Sequence, residues 1–488
     1  MYTALMSSHT PFFPAWRPQL APARLATSVK TVCALTFCRL EERFSSVLPT
    51  KLMTKGPKQR DRIYTLPRVF WCFLWQTLHP ATACREVVRQ VQALFQLQGG
   101  PRVCSHDGAY CQARKRLPDK LLFESFKATA KAVQHAAPLA EKTFLQARSV
   151  KAVDAATLTM PDSPSNRKTY PKVQTADGIG FPMMRVLVFF CVNSGALLAR
   201  ITGTLRDAEL RLFQRFISQL SRDDIVLGDR GFGHFIVVYL LKQLERGVDL
   251  IGRSARKVDG RKRLKRLGRN DWLVSWKRPS QRSALLTPKQ WKRVPGQLTV
   301  RIVRGSLARP GFRVRQVSLV TTLLDPKLYP ASQILQAYLR RWRLELCFND
   351  LKTTLQMEML SCQSPEMIGK ELDMHLIAYN LVRLVAAQAA STHQTSIELI
   401  SFKGTLDALR QFANVIAGVR RKGKQRQLWE QLLRTLVEDS LPYRPNRREP
   451  RAVKKQKNKY NRLNCPRHLF RDPPKTHKST RSCTRFLN

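Results

Sequence analysis

Apolar residues recur at helical spacing on both sides of a central region that has a different period. The predicted helices are Val69–Leu78, Ala81–Leu97, Ala109–Phe126, Ala331–Met359, Pro365–Ser391 and Ile397–Val437. The first three lie in the N-terminal third of the chain and the other three in its C-terminal third. The pattern therefore predicts two helical regions that flank a core of another type.

The central region begins near Ser149, where apolar and polar residues start to alternate. The predicted strands are Ser149–Asp162, Met183–Val192, Ala196–Leu205 and Asp223–Phe232. An NSG turn joins the second strand to the third, and the amphipathic helix Asp207–Leu220 precedes the fourth. Another helix extends to about Arg246. This order of elements predicts an α/β core with a mixed sheet. Short alternating runs then predict a β-rich insertion between residues 248 and 326.

The charge of the chain indicates a polyanionic partner. Among 488 residues, 85 Lys and Arg face 34 Asp and Glu, which gives a formal net charge of +51. Nucleic acid is the commonest partner of so basic a chain, and a ribosomal-type or membrane-surface protein is the alternative. Ribosomal proteins are usually shorter and less apolar than this chain, of which 43% is hydrophobic. No apolar run approaches the roughly 20 residues that span a bilayer, so we expect no membrane insertion.

Cysteine and histidine are dispersed along the chain. The 11 cysteines include no C-x2-C pair, and the nine histidines form no cluster. We therefore expect no disulfide framework and no zinc ribbon, with the cysteines acting as apolar filler in a reducing cytosol. The segment Met1–Trp16 lacks a basic n-region and contains prolines, so we expect no signal peptide.

The stretch YLRRWRLELCFNDLK places one glutamate among several cations. On a helix, Tyr338, Arg341, Glu345 and Lys352 fall within a strip of roughly 80°, whereas Asp350 points elsewhere. Leu335, Leu339, Trp342 and Leu346 are predicted to form the buried flank beside that strip. Taken alone, Arg341 and Glu345 could be an ordinary surface ion pair worth a few tenths of a kcal/mol.

Two aspartates near strand ends give Glu345 a second interpretation. Asp154 closes the apolar part of one predicted strand, and Asp229 closes that of another. Ligands of α/β sheets collect at such ends, although either aspartate alone would more often be a cap or turn residue. Three clustered carboxylates repel one another unless divalent cations hold them. Oxygen ligands suit Mg²⁺ or Mn²⁺, and two such ions promote phosphoryl displacement.

The chain resembles the DDE transposases of the IS4 insertion-sequence family. Its residues match the family motif Y-x2-R-x3-E-x6-K at every position, with Tyr338, Arg341, Glu345 and Lys352. VDAATLTMPD resembles the first-aspartate region and LGDRGF the second, which correspond to Asp154 and Asp229. Segments on either side of the motif also resemble those of the family: TTLLDPKLYP before it, and MEMLSCQSPE and AYNLVR after it. The similarity covers about residues 72 to 383.

The resemblance implies an RNase H-like core that cuts transposon ends and joins them to target DNA. It implies Asp154, Asp229 and Glu345 as catalytic residues and ligands of two Mg²⁺ or Mn²⁺ ions. Arg341 and Lys352 would clamp phosphates, and Tyr338 would contact the DNA backbone. A homodimer on double-stranded DNA, in the cytoplasm and on the nucleoid of a prokaryote, is implied as well. Two alternatives remain: an inactive or repurposed DNA-binding relative, and an RNase H-like nuclease without strand transfer.

The expected organisation has seven segments. They are a poorly defined segment (1–54), a helical region that is either a DNA-end reader or a plain packing domain (55–140), the first part of the core (141–247), the β-rich insertion (248–326), core helices with the motif (327–395), a C-terminal helical region (396–443) and a basic disordered tail (444–488). In some family members a tryptophan of the insertion receives a flipped base. Trp272, Trp276 and Trp291 map onto no such role, and we expect them to pack in the core.

Overall fold

The computed structural model describes the central and helical parts of the chain. The described residues are 44–53, 63–97, 99–137, 144–171, 174–175, 178–254, 263–307, 315–417, 419 and 421–441. Residues 1–43 of the N-terminal segment and the whole basic tail, residues 444–488, lie outside them. Within this part of the chain, no helix combines the length and the apolar character needed to cross a membrane.

One mixed sheet of nine strands forms the centre of the molecule, beside a two-stranded ribbon. The strands are β1 Val150–Thr159, β2 Gln174–Thr175, β3 Gly178–Ile179, β4 Met183–Cys191, β5 Leu197–Thr204, β6 Ile225–Gly228, β7 Asp249–Arg253, β8 Arg263–Gly268, β9 Asp271–Lys277, β10 Gln297–Leu307 and β11 Arg315–Thr321. The large sheet has the order β5-β4-β1-β6-β7-β11-β10-β9-β8, and β2 pairs with β3 in the ribbon.

The first five strands of this sheet have the directions and order of an RNase H-like core. β1 is antiparallel to β4, with Asp154 opposite Val188, and β4 is antiparallel to β5. On its other side β1 runs parallel to β6, with Ala152 opposite Leu227, and β6 runs parallel to β7. The predicted α/β fold with a mixed sheet is confirmed.

The predicted insertion differs from its expected boundary at its first strand. β7 opens the segment 248–326, yet it pairs in parallel with β6 and belongs to the core. The four later strands extend the same sheet, because β11 pairs antiparallel with β7 and places Val320 opposite Gly252. An uncovered β7 would present unpaired backbone groups along its edge, and β11 satisfies them.

Thirteen α-helices lie in the described residues. They are α1 Leu66–Leu78, α2 Cys84–Leu97, α3 Gly108–Lys115, α4 Asp119–Ala136, α5 Pro164–Thr169, α6 Glu209–Phe216, α7 Phe235–Lys242, α8 Pro288–Lys292, α9 Ala331–Arg340, α10 Trp342–Asn349, α11 Pro365–Thr392, α12 Phe402–Ala417 and α13 Lys422–Glu438. The helix predicted over Ala109–Phe126 is divided between α3 and α4. Pro118 explains the division, because proline lacks an N–H and disfavours a helical residue before it.

Helices cover both faces of the core sheet, so its strands are buried on two sides. Ile225 and Leu227 of β6 pack in the core cluster that includes α1, α4 and α11, whereas Val226 packs with α6 and α7. α11 is almost wholly buried, and Asn380 ties it to the sheet. The Asn380 side chain accepts a hydrogen bond from the Leu197 N–H and donates one to the Leu197 carbonyl, both at 3.0 Å.

Tryptophans of the insertion lie in its core. Trp272 and Trp276, on β9, are each 6% exposed within the cluster that faces α6 and α7. Trp291 is partly buried beside the same cluster, and the guanidinium of Arg278 lies 5.3 Å from its ring centroid. These positions agree with the expected packing role.

A buried arginine joins the insertion to the loop that leads into α9. Arg301 of β10 is 0% exposed, and it donates two hydrogen bonds to the Asp271 carboxylate, at 2.8 and 2.6 Å. Its third nitrogen donates to the carbonyls of Leu323, Asp325 and Tyr329. Because these carbonyls lie just before α9, Arg301 fixes the direction in which that helix begins.

We expect Arg301→Ala to lower the free energy of unfolding by about 3–5 kcal/mol, because it leaves the Asp271 charge buried without its partner. Urea unfolding followed by circular dichroism measures the loss. The double variant Arg301→Met/Asp271→Leu removes both charges and should recover most of the stability. A double variant as unstable as Arg301→Ala would show that the unpaired charge is not the cause.

Candidate active site

Asp154 lies in β1 where the strand extends past the end of its neighbour. The parallel pairing of β1 with β6 covers Val150 to Ala152, and Asp154 comes two residues later. One carboxylate oxygen, Oδ1, accepts a hydrogen bond from the Ala155 N–H at 2.8 Å. The other oxygen, Oδ2, lies 3.9 Å from Nη1 of Arg341.

Asp229 follows the last residue of β6 and lies at the same edge. Its Oδ1 accepts a hydrogen bond from the Gly231 N–H at 2.7 Å, which closes a tight turn. Gly233 lets this turn approach β7, since a Cβ there would lie 2.0 Å from the Arg253 carbonyl oxygen. Because Ala152 lies opposite Leu227 on the parallel strand β6, Asp154 lies level with Asp229, although β1 itself continues to Thr159.

The motif stretch is not the single helix that its periodicity predicted over Ala331–Met359. α9 ends at Arg340, Arg341 forms a tight junction, and α10 carries Glu345. The Arg341 N–H bonds to the Tyr338 carbonyl and the Leu344 N–H to the Arg341 carbonyl, both with three-residue spacing. A π-helical turn, Asp350–Thr354, follows α10. The chain then becomes extended, and Met359 pairs with Thr159 at the end of β1.

The buried side of the motif differs from the predicted flank. The predicted flank was wrong for Leu346, which is 46% exposed. Ile334, Leu344 and Cys347 are buried instead, together with Tyr338 at 7% exposure. The buried residues Ala337, Leu344 and Leu351 recur every seven residues, so the helical phase continues through Arg341 and the buried face lies further round the helix than predicted.

Arg341 lies between two of the candidate carboxylates. Its Nη2 donates to Glu345 Oε1 at 3.2 Å, and its Nη1 is 3.9 Å from Asp154 Oδ2. The Arg341 side chain is 18% exposed, whereas that of Glu345 is 44% exposed. The single guanidinium therefore partly neutralises both acids. It also links the motif helix, through Glu345, to Asp154 in the sheet.

The three acids are close enough for their charges to interact. Burial raises the pKa of Asp154, and the charges of Asp229 and Glu345 raise it further. The hydrogen bond from Ala155 and the charge of Arg341 oppose this shift. The charges of Asp154, Asp229 and Glu345 therefore repel one another as an acidic cluster, although their carboxylate oxygens do not all lie within 4.8 Å of one another.

Asp350 is directed away from the cluster, as the sequence predicted. Burial raises its pKa to about 6, and the nearby charge of Arg383 opposes the shift. In the folded protein Asp350 therefore keeps its proton to a higher pH than in the unfolded chain. Stability must fall as the pH rises between the unfolded pKa and the folded one, because the unfolded state binds fewer protons in that range.

We expect Asp350→Asn to remove this loss. The variant should match the wild type at about pH 4, where the wild-type carboxyl is largely protonated, and exceed it by about 1–2 kcal/mol at about pH 8. Urea unfolding at the two pH values measures the difference. A variant that is less stable than the wild type at the higher pH would show that the Asp350 charge is favourable.

Tyr338 and Lys352 flank the cluster. Burial raises the pKa of Tyr338, opposed by Arg341 and Arg253, and the charge of Asp229 adds to the rise. Burial lowers the pKa of Lys352, and the charges of Glu358 and Asp154 oppose that shift. Both side chains are thus within electrostatic reach of a candidate aspartate. All four motif residues border one acidic site.

Glu209 is a fourth acid near the site, and sequence reasoning did not identify it. It begins α6, and burial raises its pKa to about 7, with contributions from the charges of Asp154 and Asp229. Its Oε1 is buried and accepts no hydrogen bond from the described residues. In the sequence, an acid in the first turn of an amphipathic helix resembles ordinary helix stabilisation, so no local signal distinguished it.

The donor atoms of these three acids are of the type that hard divalent cations bind. The carboxylates of Asp154, Asp229 and Glu345 are oxygen ligands, which Mg²⁺ and Mn²⁺ prefer. Asp154 also carries the burial and repulsion that a bound cation would relieve. No cysteine or histidine contributes to these electrostatic interactions, so the donor set has no feature typical of a zinc site.

The chain is similar in sequence to known proteins. The model of the transposase DDE domain matches residues 145–381, a segment that contains Asp154, Asp229 and Glu345. The Escherichia coli (strain K12) transposase InsG for insertion sequence element IS4 is 26% identical over 412 residues, which cover 82% of this chain and 88% of the relative.

Among solved structures, the cryo-EM structure of the piggyBac transposase synaptic complex with hairpin DNA has a TM-score of 0.37 and 9% sequence identity. The match covers 83% of this chain and 84% of that one. The family was predicted from the motif residues, and the domain match together with the IS4 relative confirms it. Both comparisons support the identification of this chain as a DDE transposase of the IS4 type.

Proposed function

We propose that this transposase cuts the ends of its insertion sequence and joins them to target DNA at the cluster of Asp154, Asp229 and Glu345. The observation that carries the proposal is the electrostatic coupling of these three acids beside the basic motif helix. Such a cluster is costly to keep charged by itself, and a function that binds cations accounts for it.

Two Mg²⁺ or Mn²⁺ ions are the proposed cofactor, with Asp154, Asp229 and Glu345 as their ligands. When bound, such a pair activates an attacking oxygen and stabilises a leaving oxygen. Glu209 lies close enough to Asp154 and Asp229 for its charge to affect the same site. We assign it no direct ligand role.

The side chains of the motif bind and orient the DNA. In the structure, Arg341 bonds to Glu345 and lies near Asp154. When cations neutralise the charges of these two acids, the Arg341 guanidinium can bind a phosphate at the cut instead. Lys352 approaches from the π-helical turn and binds a second phosphate oxygen. Tyr338 contacts the backbone next to the cut. The exposed position of Glu345 leaves room for DNA to enter beside α10.

The proposed reaction has two displacements at phosphorus. In the first, a water oxygen bonds to phosphorus at the transposon end, and the bond to the 3′ oxygen breaks to leave a free 3′-OH. In the second, this 3′-OH attacks a target phosphodiester and releases a target 3′-OH. Neither step needs a protein nucleophile, so no serine or tyrosine is assigned that role. Joining two ends requires two active sites, for which we propose a homodimer on DNA in the cytoplasm of a prokaryote.

Removal of divalent cations tests the proposal. With the inverted-repeat DNA that flanks the gene as substrate, excess EDTA should abolish both cleavage and joining, and Mg²⁺ or Mn²⁺ should restore them. DNA affinity in a gel-shift assay should persist in EDTA, because the basic surface supplies it. Cleavage that continues in excess EDTA would contradict the proposal. Cleavage without any joined product would favour a nuclease without strand transfer.

A further inference from the structure

Two cysteines and an aspartate converge in the N-terminal helical region, far from the acidic cluster in sequence. Cys84 is the first residue of α2, Asp107 precedes α3 and Cys111 lies in its first turn. One ligand atom of each residue, the two Sγ atoms and a carboxylate oxygen, lies within 4.8 Å of the other two. All three side chains are half-buried.

The aspartate is not explained by helix capping. Asp107 occupies the N-cap position of α3, where a carboxylate commonly accepts a hydrogen bond from the first helical turn. Here the side chain makes no such bond. The carboxylate instead shares a small space with Cys84 and Cys111, which is an arrangement that a cation would explain.

A half-buried polar network holds the first cysteine in place. Gln76 Nε2 donates to Cys84 Sγ at 3.7 Å and to the Thr82 carbonyl at 3.0 Å. The Gln76 amide oxygen accepts hydrogen bonds from Tyr110 and Arg114. This network connects α1, α2 and α3, and a partner of metal-binding groups often orients them in the same way.

We propose that Cys84, Asp107 and Cys111 bind a thiophilic divalent cation, with Zn²⁺ as the expected ion. Two thiolates and one carboxylate are soft and borderline donors that favour Zn²⁺ over Mg²⁺. Typical Zn–S and Zn–O bonds of about 2.3 and 2.0 Å require the three donors to lie roughly 3.5–4 Å apart, so a small contraction of the observed cluster suffices. A water molecule completes a tetrahedral site.

The surrounding charges suit such an ion. Two thiolates and a carboxylate around Zn²⁺ carry one net negative charge, and the cation of Arg114 lies close enough to offset it.

The ion would fasten the start of α2 to the start of α3. α3 ends with the basic residues Arg114 and Lys115, followed by Arg116. The site therefore stabilises a helix with a cationic end in the region that is a candidate DNA-end reader. The sequence did not indicate it, because the ligands are separated by long and irregular intervals instead of a C-x2-C pair.

Cobalt substitution tests the site in the full-length reduced protein. Co²⁺ bound by thiolates gives a sulfur-to-metal charge-transfer absorption that the carboxylates of the acidic cluster cannot produce. We expect this absorption to saturate at one ion per chain and to disappear on addition of one equivalent of Zn²⁺. Zn²⁺ should also raise the melting temperature, and a chelator should lower it again.

Single substitutions distinguish binding at this cluster from binding at any other cysteine of the chain. Cys84→Ser should abolish the absorption, and Asp107→Asn should weaken Co²⁺ affinity about 100-fold, a size comparable to the loss of a metal site's supporting residues. Cys104→Ser is the matched control. Cys104 is an exposed cysteine in the loop that also carries Asp107, and it lies outside the cluster. It should bind like the wild type.

Three outcomes would overturn the proposal. The first is a reduced wild-type protein that shows no charge-transfer absorption. The second is an absorption that survives in Cys84→Ser, or an Asp107→Asn variant with unchanged affinity. The third is a disulfide between Cys84 and Cys111 that persists in millimolar reductant and prevents metal binding.

Discussion

Alanine at Asp154, Asp229 or Glu345 is expected to reduce cleavage of transposon-end DNA by roughly 1,000-fold or more. Each substitution removes a proposed cation ligand, and the loss of several kcal/mol of transition-state stabilisation corresponds to a change of that size. DNA affinity should stay near the wild-type value, since none of the three contributes positive charge. Single-turnover cleavage at saturating protein, together with a gel-shift titration, measures both quantities.

Asp350→Ala is the matched control for these variants. Asp350 belongs to the same motif stretch, but the charge that acts on it is Arg383, and not the acidic cluster. Its cleavage rate should remain within a few-fold of the wild type. Thermal melting without metal is the control for misfolding. Replacement of the partly buried Asp154 relieves repulsion between the acids, so the Asp154→Ala variant should melt no lower than the wild type. Full activity in any one of the three alanine variants would exclude that residue from the site.

Lys352→Ala is expected to slow cleavage about 100-fold while bulk DNA affinity and its salt dependence change little. Lys352 is half-buried on the π-helical turn, where the charges of Glu358 and Asp154 act on it. It is therefore positioned to orient the scissile phosphate, and misplacement by about 1 Å can cost roughly 100-fold in rate. Lys424→Ala, at an exposed lysine of α13, is the control and should cleave normally.

Deletion of the basic tail, Arg444–Asn488, should have the opposite profile. This segment contains fifteen Lys and Arg against two acidic residues, and each phosphate contact releases counterions whatever the DNA sequence. The deletion should weaken binding to all DNA and flatten the salt dependence, with cleavage at saturating protein preserved. If the tail deletion removed cleavage at saturation and Lys352→Ala did not, the two roles would have to be exchanged.

The hydrophobic periodicity predicted the helices and strands well where the backbone conformation stays regular from end to end. The alternation in β1 and β4 and the amphipathic pattern of α6 correspond to observed elements. The prediction failed where the backbone conformation changes within a run of residues that has a continuous helical pattern. Pro118 divides one predicted helix, and the junction at Arg341 divides another, because a hydrophobic pattern carries no record of a three-residue turn or a π turn.

The acidic cluster was predictable from the sequence only in part. Asp154 and Asp229 were predicted because each closes an apolar run, and Glu345 was predicted from the motif. Glu209 was not predictable, since its approach to the aspartates depends on how α6 packs on the sheet. The same limit applies to Cys84 and Asp107, which come together only through the packing of α2 on α3.

The most direct test of metal binding by the acidic cluster is a Mn²⁺ titration of the protein bound to its end DNA, with free Mn²⁺ measured by electron paramagnetic resonance. The wild type and the triple variant Asp154→Asn/Asp229→Asn/Glu345→Gln are compared, with Asp350→Asn as control. We predict that the wild type and Asp350→Asn bind about two more Mn²⁺ ions per protomer than the triple variant. Equal numbers of bound Mn²⁺ in the wild type and the triple variant would contradict the proposed site.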